Sequence, residues 1–385
     1  MIEDVCDPVA LLSALIAFDT SNLPGNERPC AEYLTKILLD SGFDTTIQPL
    51  PDNPNRANVI AVRGNPRGKR LLFNGHIDVV PVSDGWTSDP FTAAIRDGKL
   101  YGRGACDMKG GVAAMTAAAL RLVKDGFDFD NGQLQLVFVC DEELHDSGIK
   151  HYVASPEFLP ADYAIISEPT SLDCCVASRG VVRYELVVKG VSCHASMPGQ
   201  GANAITMAGH AILALDRLAA RLARRKHPIL PPPTLAATII EGGTKDNIIP
   251  NRVAVKMDRR TLPDESVESC RDEIAREMDA LKAETPGFEY ELAPYVSVAA
   301  AYLPENHELV GMCDRVHGKM FGGKIAVRDF GACNDQSFLI DAGIPTLVLG
   351  PGSIDQAHTV DEFVEVDELL RCTDYFYELA KEILR

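Results

Sequence analysis

Short, uninterrupted apolar runs recur along this chain, each closed by polar or glycine-rich residues, and this pattern constrains the fold more than any other feature. Residues 70–73, 133–140, 162–167 and 345–349 are such runs. A strand with one wet face alternates apolar and polar residues, whereas an unbroken run suits a strand covered on both faces of a parallel sheet. Between the runs lie stretches of helical spacing, residues 8–18, 30–41 and the alanine-rich 110–124. The first opens with Asp7 as N-cap and Pro8 at the first helical position. Strands alternating with helices predict an α/β fold with a mainly parallel sheet.

A different pattern begins near Ser178. Residues 181–189 alternate, 202–225 form a long amphipathic helix, 235–240 and 252–258 are strands, 264–281 a helix and 288–292 a strand. The order βαββαβ is that of a ferredoxin-like α+β unit. Sheet-type pattern then resumes with a helix at 309–321 and the strand at 345–349. The expected organisation is therefore a domain in two pieces, residues 1–177 and 295–385, interrupted by an inserted domain at 178–294. A length of 385 residues accommodates both. Residues 227–233, rich in proline, read as a rigid turn inside the insert.

Lysine and arginine number 37 against 55 aspartates and glutamates, for a net charge of −18. That field opposes nucleic acid and anionic membrane. Residues 1–5 are acidic where a signal peptide would be basic, and no apolar stretch is long enough to span a bilayer. The expectation is a cytoplasmic protein with neither a nucleic-acid nor a membrane partner. Eleven cysteines without a CxxC pair fit a reducing compartment. Cys106, Cys140 and Cys193 neighbour residues of interest but lack the spacing of a thiolate zinc site.

Ligands of open α/β sheets gather at the carboxyl ends of the strands. Immediately after the apolar runs stand Asn74-Gly75-His76-Ile77-Asp78, Asp141-Glu142-Glu143, Glu168-Pro169 and, past a Gly-Pro-Gly turn, His358-Thr359-Val360-Asp361-Glu362; Asp107 stands where the 110–124 helix begins. Alone, Asp107 reads as an N-cap, His76 as a hydrogen-bonded edge histidine and the Glu-Glu pair as a solvated turn. Five such places supplying only His, Asp and Glu outweigh those separate readings. Two imidazoles with several carboxylates are what a two-metal hydrolytic site needs, and they suit zinc, with cobalt or manganese as substitutes. In His76-x-Asp78 the second residue can orient the first through its other ring nitrogen. Consecutive extended residues point apart, so one of Glu142 and Glu143 can hold metal while the other serves as general base.

The segments Gly75 to Pro81, Gly102-Arg103-Gly104 to Gly111, Asp141-Glu142-Glu143, Ser167-Glu168-Pro169 and His358 to Glu362, in this order, resemble the M20 metallopeptidase family. That family includes acetylornithine deacetylase, succinyl-diaminopimelate desuccinylase, aminoacylases, carboxypeptidases and dipeptidases. The resemblance implies a zinc-exopeptidase-like catalytic domain and makes the insert a lid and dimerisation domain. It implies that Asp107 bridges two metals, His76 and Glu168 completing one and Glu143 and His358 the other. Glu142 becomes the general base and Asp78 the residue that orients His76.

By the same resemblance His194, in Ser192-Cys193-His194-Ala195-Ser196, faces the oxyanion, often across a dimer interface. The resemblance also implies that Asn247 and Arg260 contact substrate polar groups and a carboxylate. Without the family these three read as a loop histidine, a turn asparagine and a solvated strand-end arginine. An arginine often stands in desuccinylase-like members where Ser337 stands here. The expected substrate is therefore an N-acyl amino acid, with deacetylation of the acetylornithine type ahead of succinyl-diaminopimelate desuccinylation or metallo-carboxypeptidase or dipeptidase activity. Hinges are expected near Ser178 and Pro294.

Overall fold

The computed structural model describes residues 6–385; the acidic residues 1–5 lie outside the described residues. Two compact units are present. One comprises the described residues up to Ala177 together with Leu303–Phe330 and Asn334–Arg385, and the other Ser178–Tyr302 with Gly331–Cys333.

At the centre of the first unit is the strand Lys69–His76, parallel to Gly132–Val139 on one side and Tyr163–Ile166 on the other, with Thr346–Val348 parallel beyond it. These are the four apolar runs, and every residue of Gly132–Val139 and Tyr163–Ile166 is buried. Their register aligns the carboxyl ends, His76 lying opposite Val139 and Val348 opposite Ile166. Two strands not among the expected ones, Ala57–Gly64, itself built on the apolar run 59–62, and Asp44–Pro49, extend the sheet antiparallel beyond Gly132–Val139. The outer one is mostly polar and half-exposed, which dilutes the pattern an edge strand shows.

The helix Lys109–Lys124 is buried on nearly every side, packed between the sheet and the helices Pro8–Ile16 and Val366–Leu384. Its alanines make that possible, since small side chains let three elements approach one helix. Gly111 is a strict case: a Cβ there would lie 2.1 Å from the Ser167 carbonyl oxygen, so only glycine allows the helix start this close to the strand end that precedes Glu168. Asp7 caps the helix Pro8–Ile16 as expected, its Oδ1 accepting from the Val9 N–H at 2.9 Å.

In the second unit an antiparallel sheet runs in the order Thr234–Gly242, Arg252–Thr261, Gly180–Lys189, Glu289–Val298. Helices Ala204–Leu222 and Val267–Glu284 complete the βαββαβ order. The alternation in Gly180–Lys189 puts Val182, Tyr184, Leu186 and Val188 into one core with Met207, Ala211, Leu215, Ile274 and Met278. Asn203 caps the first helix and Ser266 forms a reciprocal cap with Ser269 on the second.

The expected hinge at Pro294 is not found. Pro294 lies within the edge strand Glu289–Val298, at a register shift between Pro294 and Val296, and the unit continues to Tyr302. Lacking an N–H, proline is tolerated in a sheet at an edge or a bulge, and here it has both.

Candidate functional site

His76 ends the central parallel strand, and its ring is buried. Nδ1 lies 2.9 Å from the Asp78 backbone oxygen, and Nε2 lies 3.0 Å from Asp107 Oδ1 and 3.7 Å from Glu168 Oε1. His358 approaches Asp107 by the other oxygen, its Nε2 being 3.3 Å from Oδ2, and reaches Glu143 at 3.0 Å. Asp107 is thus shared by two histidines, one oxygen each. The five residues expected to bind metal come together, drawn from three strand ends, the start of one helix and the turn that carries His358. Among the described residues, the group of ligand atoms close enough for a single cation is His76, Asp107 and Glu143, within 4.8 Å of one another.

Asp107 does not cap the helix behind it: Met108 occupies the N-cap position and no side chain caps there. The Asp107 backbone is instead held by Glu362. One Glu362 oxygen, Oε1, accepts the N–H groups of both Cys106 and Asp107 at 2.9 Å, and the other accepts Arg103 Nη1 at 2.6 Å. Glu362 and Arg103 are each 1% exposed, so this is a buried clamp between the segment carrying His358 and the one carrying Asp107. Sequence reading placed both residues in motifs without giving either a task.

Asp78 departs from its expected role. His76 Nδ1 is held by the Asp78 backbone carbonyl, while the carboxylate, 3.7 Å from that nitrogen, accepts the backbone N–H groups of Glu142 at 3.0 Å and Glu143 at 3.2 Å. Its side chain therefore fixes the acidic pair directly and the histidine through the main chain. Nor are Glu142 and Glu143 extended; they occupy a turn that begins at Asp141, whose φ is +61°. Glu143 faces His358, whereas the Glu142 carboxylate forms no hydrogen bond or ion pair among the described residues.

Burial and mutual repulsion lift the carboxyls. Glu143 is pushed up to about 7 by burial and Asp107, and Asp335 to about 8 by burial and Asp146. Burial also raises Glu142 and Glu168, the other carboxylates adding to it. Asp107 alone is held below the usual range, because hydrogen bonds from His358 and His76 outweigh its burial. His358 is raised to about 10 by Asp107 and Glu143. No lysine or arginine pairs with Asp107, Glu143 or Glu168 among the described residues. A buried set of carboxylates and neutral-capable imidazoles lacking cationic partners fits a divalent cation in both charge and donor type. The cysteines do not enter: Cys106 is buried against the Ser353 carbonyl, and burial raises the thiols of Cys106 and Cys140.

The other three expected residues lie in the second unit. His194 is exposed, and its Nδ1 accepts the Ser196 backbone N–H at 3.1 Å. A backbone N–H can only donate, so the ring proton belongs on Nε2, which is thereby a donor. Asn247 is brought beside it, its carbonyl accepting the Ala195 N–H at 3.0 Å, while the strand pair Cys193–His194 and Ile248–Ile249 joins the two segments. Arg260 is not brought to them. His194 and Asn247 lie by the Arg252 end of the strand Arg252–Thr261, where the Gly190 N–H donates to Asn251. Arg260 is eight residues along, about 26 Å at the ordinary strand rise, and its Nε donates to Asp258 at 2.8 Å.

The chain is similar to known proteins in sequence and in fold. The model of peptidase family M20/M25/M40 matches residues 72–382. An acetylornithine deacetylase of Proteus mirabilis is 36% identical over 341 residues, covering 86% of this chain and 84% of that protein. Among solved structures, aminopeptidase PepT from Bacillus cereus superposes with a TM-score of 0.83 at 21% identity over 99% of both chains. The YXEP protein of Bacillus subtilis, described as a dinuclear metal-binding peptidase, gives 0.75 at 16% identity over 99% of this chain and 98% of that one.

Proposed function

The chain belongs to peptidase family M20/M25/M40 and is a metal-dependent hydrolase of that family, and from this premise we propose that it cleaves the amide bond of N-acyl amino acids, N-acetylornithine foremost. The observation that carries the reading is the division within the acidic turn. Glu143 is committed to His358, and Glu142, beside it, has a carboxylate left free among the described residues. A hydrolase needs one carboxylate for the cation and another for the proton. The likeness to acetylornithine deacetylase over most of both chains supports the substrate.

In this proposal His76, Asp107 and Glu168 hold one divalent cation, and Asp107, Glu143 and His358 a second, zinc in the first instance with cobalt or manganese able to substitute. Two such cations, when bound, polarise an acyl carbonyl and make water a stronger acid. Glu142 takes the proton from the attacking water and delivers it to the departing amine. Asp78 keeps Glu142 in place through its backbone N–H. His194 donates from Nε2 to the oxygen that gains charge, and Asn247 and Arg260 bind the substrate's polar groups and free carboxylate.

No small amino acid spans the distance between His194 and Arg260 within one unit. The proposal therefore assigns them to different copies of the chain, a homodimer joined through the inserted unit. Support comes from the strand Thr234–Gly242, an edge strand that is exposed almost throughout, with Ile239 47% and Ile240 55% exposed.

The test is a panel of acetylated and succinylated amino acids, including succinyl-diaminopimelate, assayed beside dipeptides with zinc- or cobalt-loaded protein. N-acetylornithine is expected to turn over fastest. Hydrolysis confined to dipeptides would move the assignment to a carboxypeptidase or dipeptidase, and hydrolysis confined to succinyl substrates to a desuccinylase.

A further inference from the structure

The segment Asp141-Glu142-Glu143 presents three consecutive carboxylates, yet only the last two face the cation cluster. The first is drawn away. Arg56 Nη1 donates to Asp141 Oδ1, while the same guanidinium grips Glu27, Nε donating at 3.0 and 3.1 Å to its two oxygens and Nη2 at 2.7 Å to Oε1. All three side chains are buried, Arg56 at 7%, Glu27 at 0% and Asp141 at 2% exposure. They come from three places: the start of the helix Arg28–Asp40, the residue before the strand Ala57–Gly64, and the turn after Gly132–Val139. The space is reserved for the guanidinium, because a Cβ on Gly25 would lie 2.3 Å from Arg56 Nε.

Buried ion groups of this kind are poor stabilisers, since desolvation offsets their attraction and apolar residues of similar volume often serve as well. What this one does geometrically is specific. Asp141 is left-handed, a backbone state uncommon for a residue with a side chain. Its side chain is tied on one side by Arg56, while the next two N–H groups are tied on the other by the Asp78 carboxylate. The turn is thereby pinned from both sides.

We propose that Arg56, anchored by Glu27, is a positioning residue that withdraws Asp141 from the cation cluster and sets the aim of Glu142 and Glu143. The proposal rests on the reading of Glu142 as the base and Glu143 as a cation ligand. It concerns neither substrate contact nor proton transfer by Arg56 itself.

Three variants test it. Arg56→Lys keeps the charge but loses the fork that holds Glu27 and Asp141 together. Arg56→Met leaves two buried carboxylates unpaired and can fail to fold, so it is combined with Glu27→Gln and Asp141→Asn in a neutral triple variant; asparagine tolerates the left-handed backbone. Circular dichroism and thermal melting establish that each is folded, and calorimetric titration with Zn²⁺ reads cation binding apart from activity. On zinc-loaded protein the expected result is kcat lower by about 10-fold for Arg56→Lys and about 10²-fold for the triple variant, the scale of an ångström's misplacement. KM should stay within about twofold and Zn²⁺ affinity should weaken in the same order. A purely structural role predicts a lower melting temperature with kcat and Zn²⁺ affinity within about twofold of the parent, and that result overturns the proposal. Glu142→Gln is measured alongside. If it keeps the parent rate, the underlying reading of Glu142 fails; if it loses rate while the triple variant does not, only the positioning role fails.

Discussion

His76 and His194 both stand at or beyond strand ends, but they belong to opposite physical regimes. His76 is buried, with both ring nitrogens in contact with acceptors that are themselves fixed. His194 is exposed, held by one neighbour two residues away. The first unit assembles its chemical groups as it folds, because a buried polar group left unpaired is costly. The second displays His194, Asn247 and Arg260 on exposed or half-exposed positions at two ends of a sheet, with no buried partner to hold them in one arrangement. Cation binding and water activation should therefore reside in the buried cluster, and the contacts made to the substrate and to its transition state in the exposed groups.

The sharpest way to break this contrast is to strip the cations. Chelation should bring hydrolysis to the uncatalysed level, with zinc or cobalt restoring it. Stripped protein should also respond to pH in a way loaded protein does not. His358, raised from 6.5 to about 10, and Glu143, raised from 4.5 to about 7, both hold more protons when folded than when unfolded. Their stabilising effect is complete below the unfolded values and is lost as pH rises through the folded ones, so the melting temperature should fall between about pH 5 and pH 10. A flat melting profile in stripped protein would contradict the geometry of the cluster.

Smaller effects should follow in the second unit. His194→Ala is expected to lower kcat about 10²- to 10³-fold while cation stoichiometry and affinity stay unchanged; altered cation binding would erase the distinction between the regions. Arg260→Ala should raise KM about tenfold with kcat nearly constant. Mixing those two variants sharpens the comparison further. If the groups serve different copies, half the dimers carry one intact site, and roughly a quarter of the parent rate at low substrate should return. No recovery on mixing would return both residues to a single copy.

How much was legible in the sequence follows the same division. His76, Glu143 and Glu168 stand just beyond apolar runs and Asp107 at a helix start, a local signal, whereas His358 lies nine positions past its run and, like the division of all five between two cations, was legible only through the family resemblance. Arg56 and Glu27 give no such signal, since Arg56 lies in a proline- and asparagine-containing loop and its partners are 29 and 85 residues away. The Glu362 clamp was missed for the same reason, its contact to Arg103 closing a separation of 259 residues. Asp78 was read as orienting His76 through its carboxylate, but its backbone carbonyl meets the ring, because spacing cannot tell whether a side chain or its own carbonyl faces a ring nitrogen. Pro294 misled because a proline reads as a break unless the sheet edge and the bulge that accommodate it are visible.

The separation between His358 and the other cluster residues has a consequence in time as well as space. Glu168 and His358 are 190 positions apart, and the whole of Ser178–Tyr302 is made between them. At ordinary rates of synthesis that is roughly 10 to 40 s, during which the growing polypeptide holds its carboxylates without the second histidine, without Glu362 to fix the Asp107 backbone, and without Thr346–Val348 at the side of the sheet. Capture of cations by the complete cluster is thus confined to the last moments of translation or to the period after release. A shortage of the ion would thus be met by finished chains rather than half-made ones.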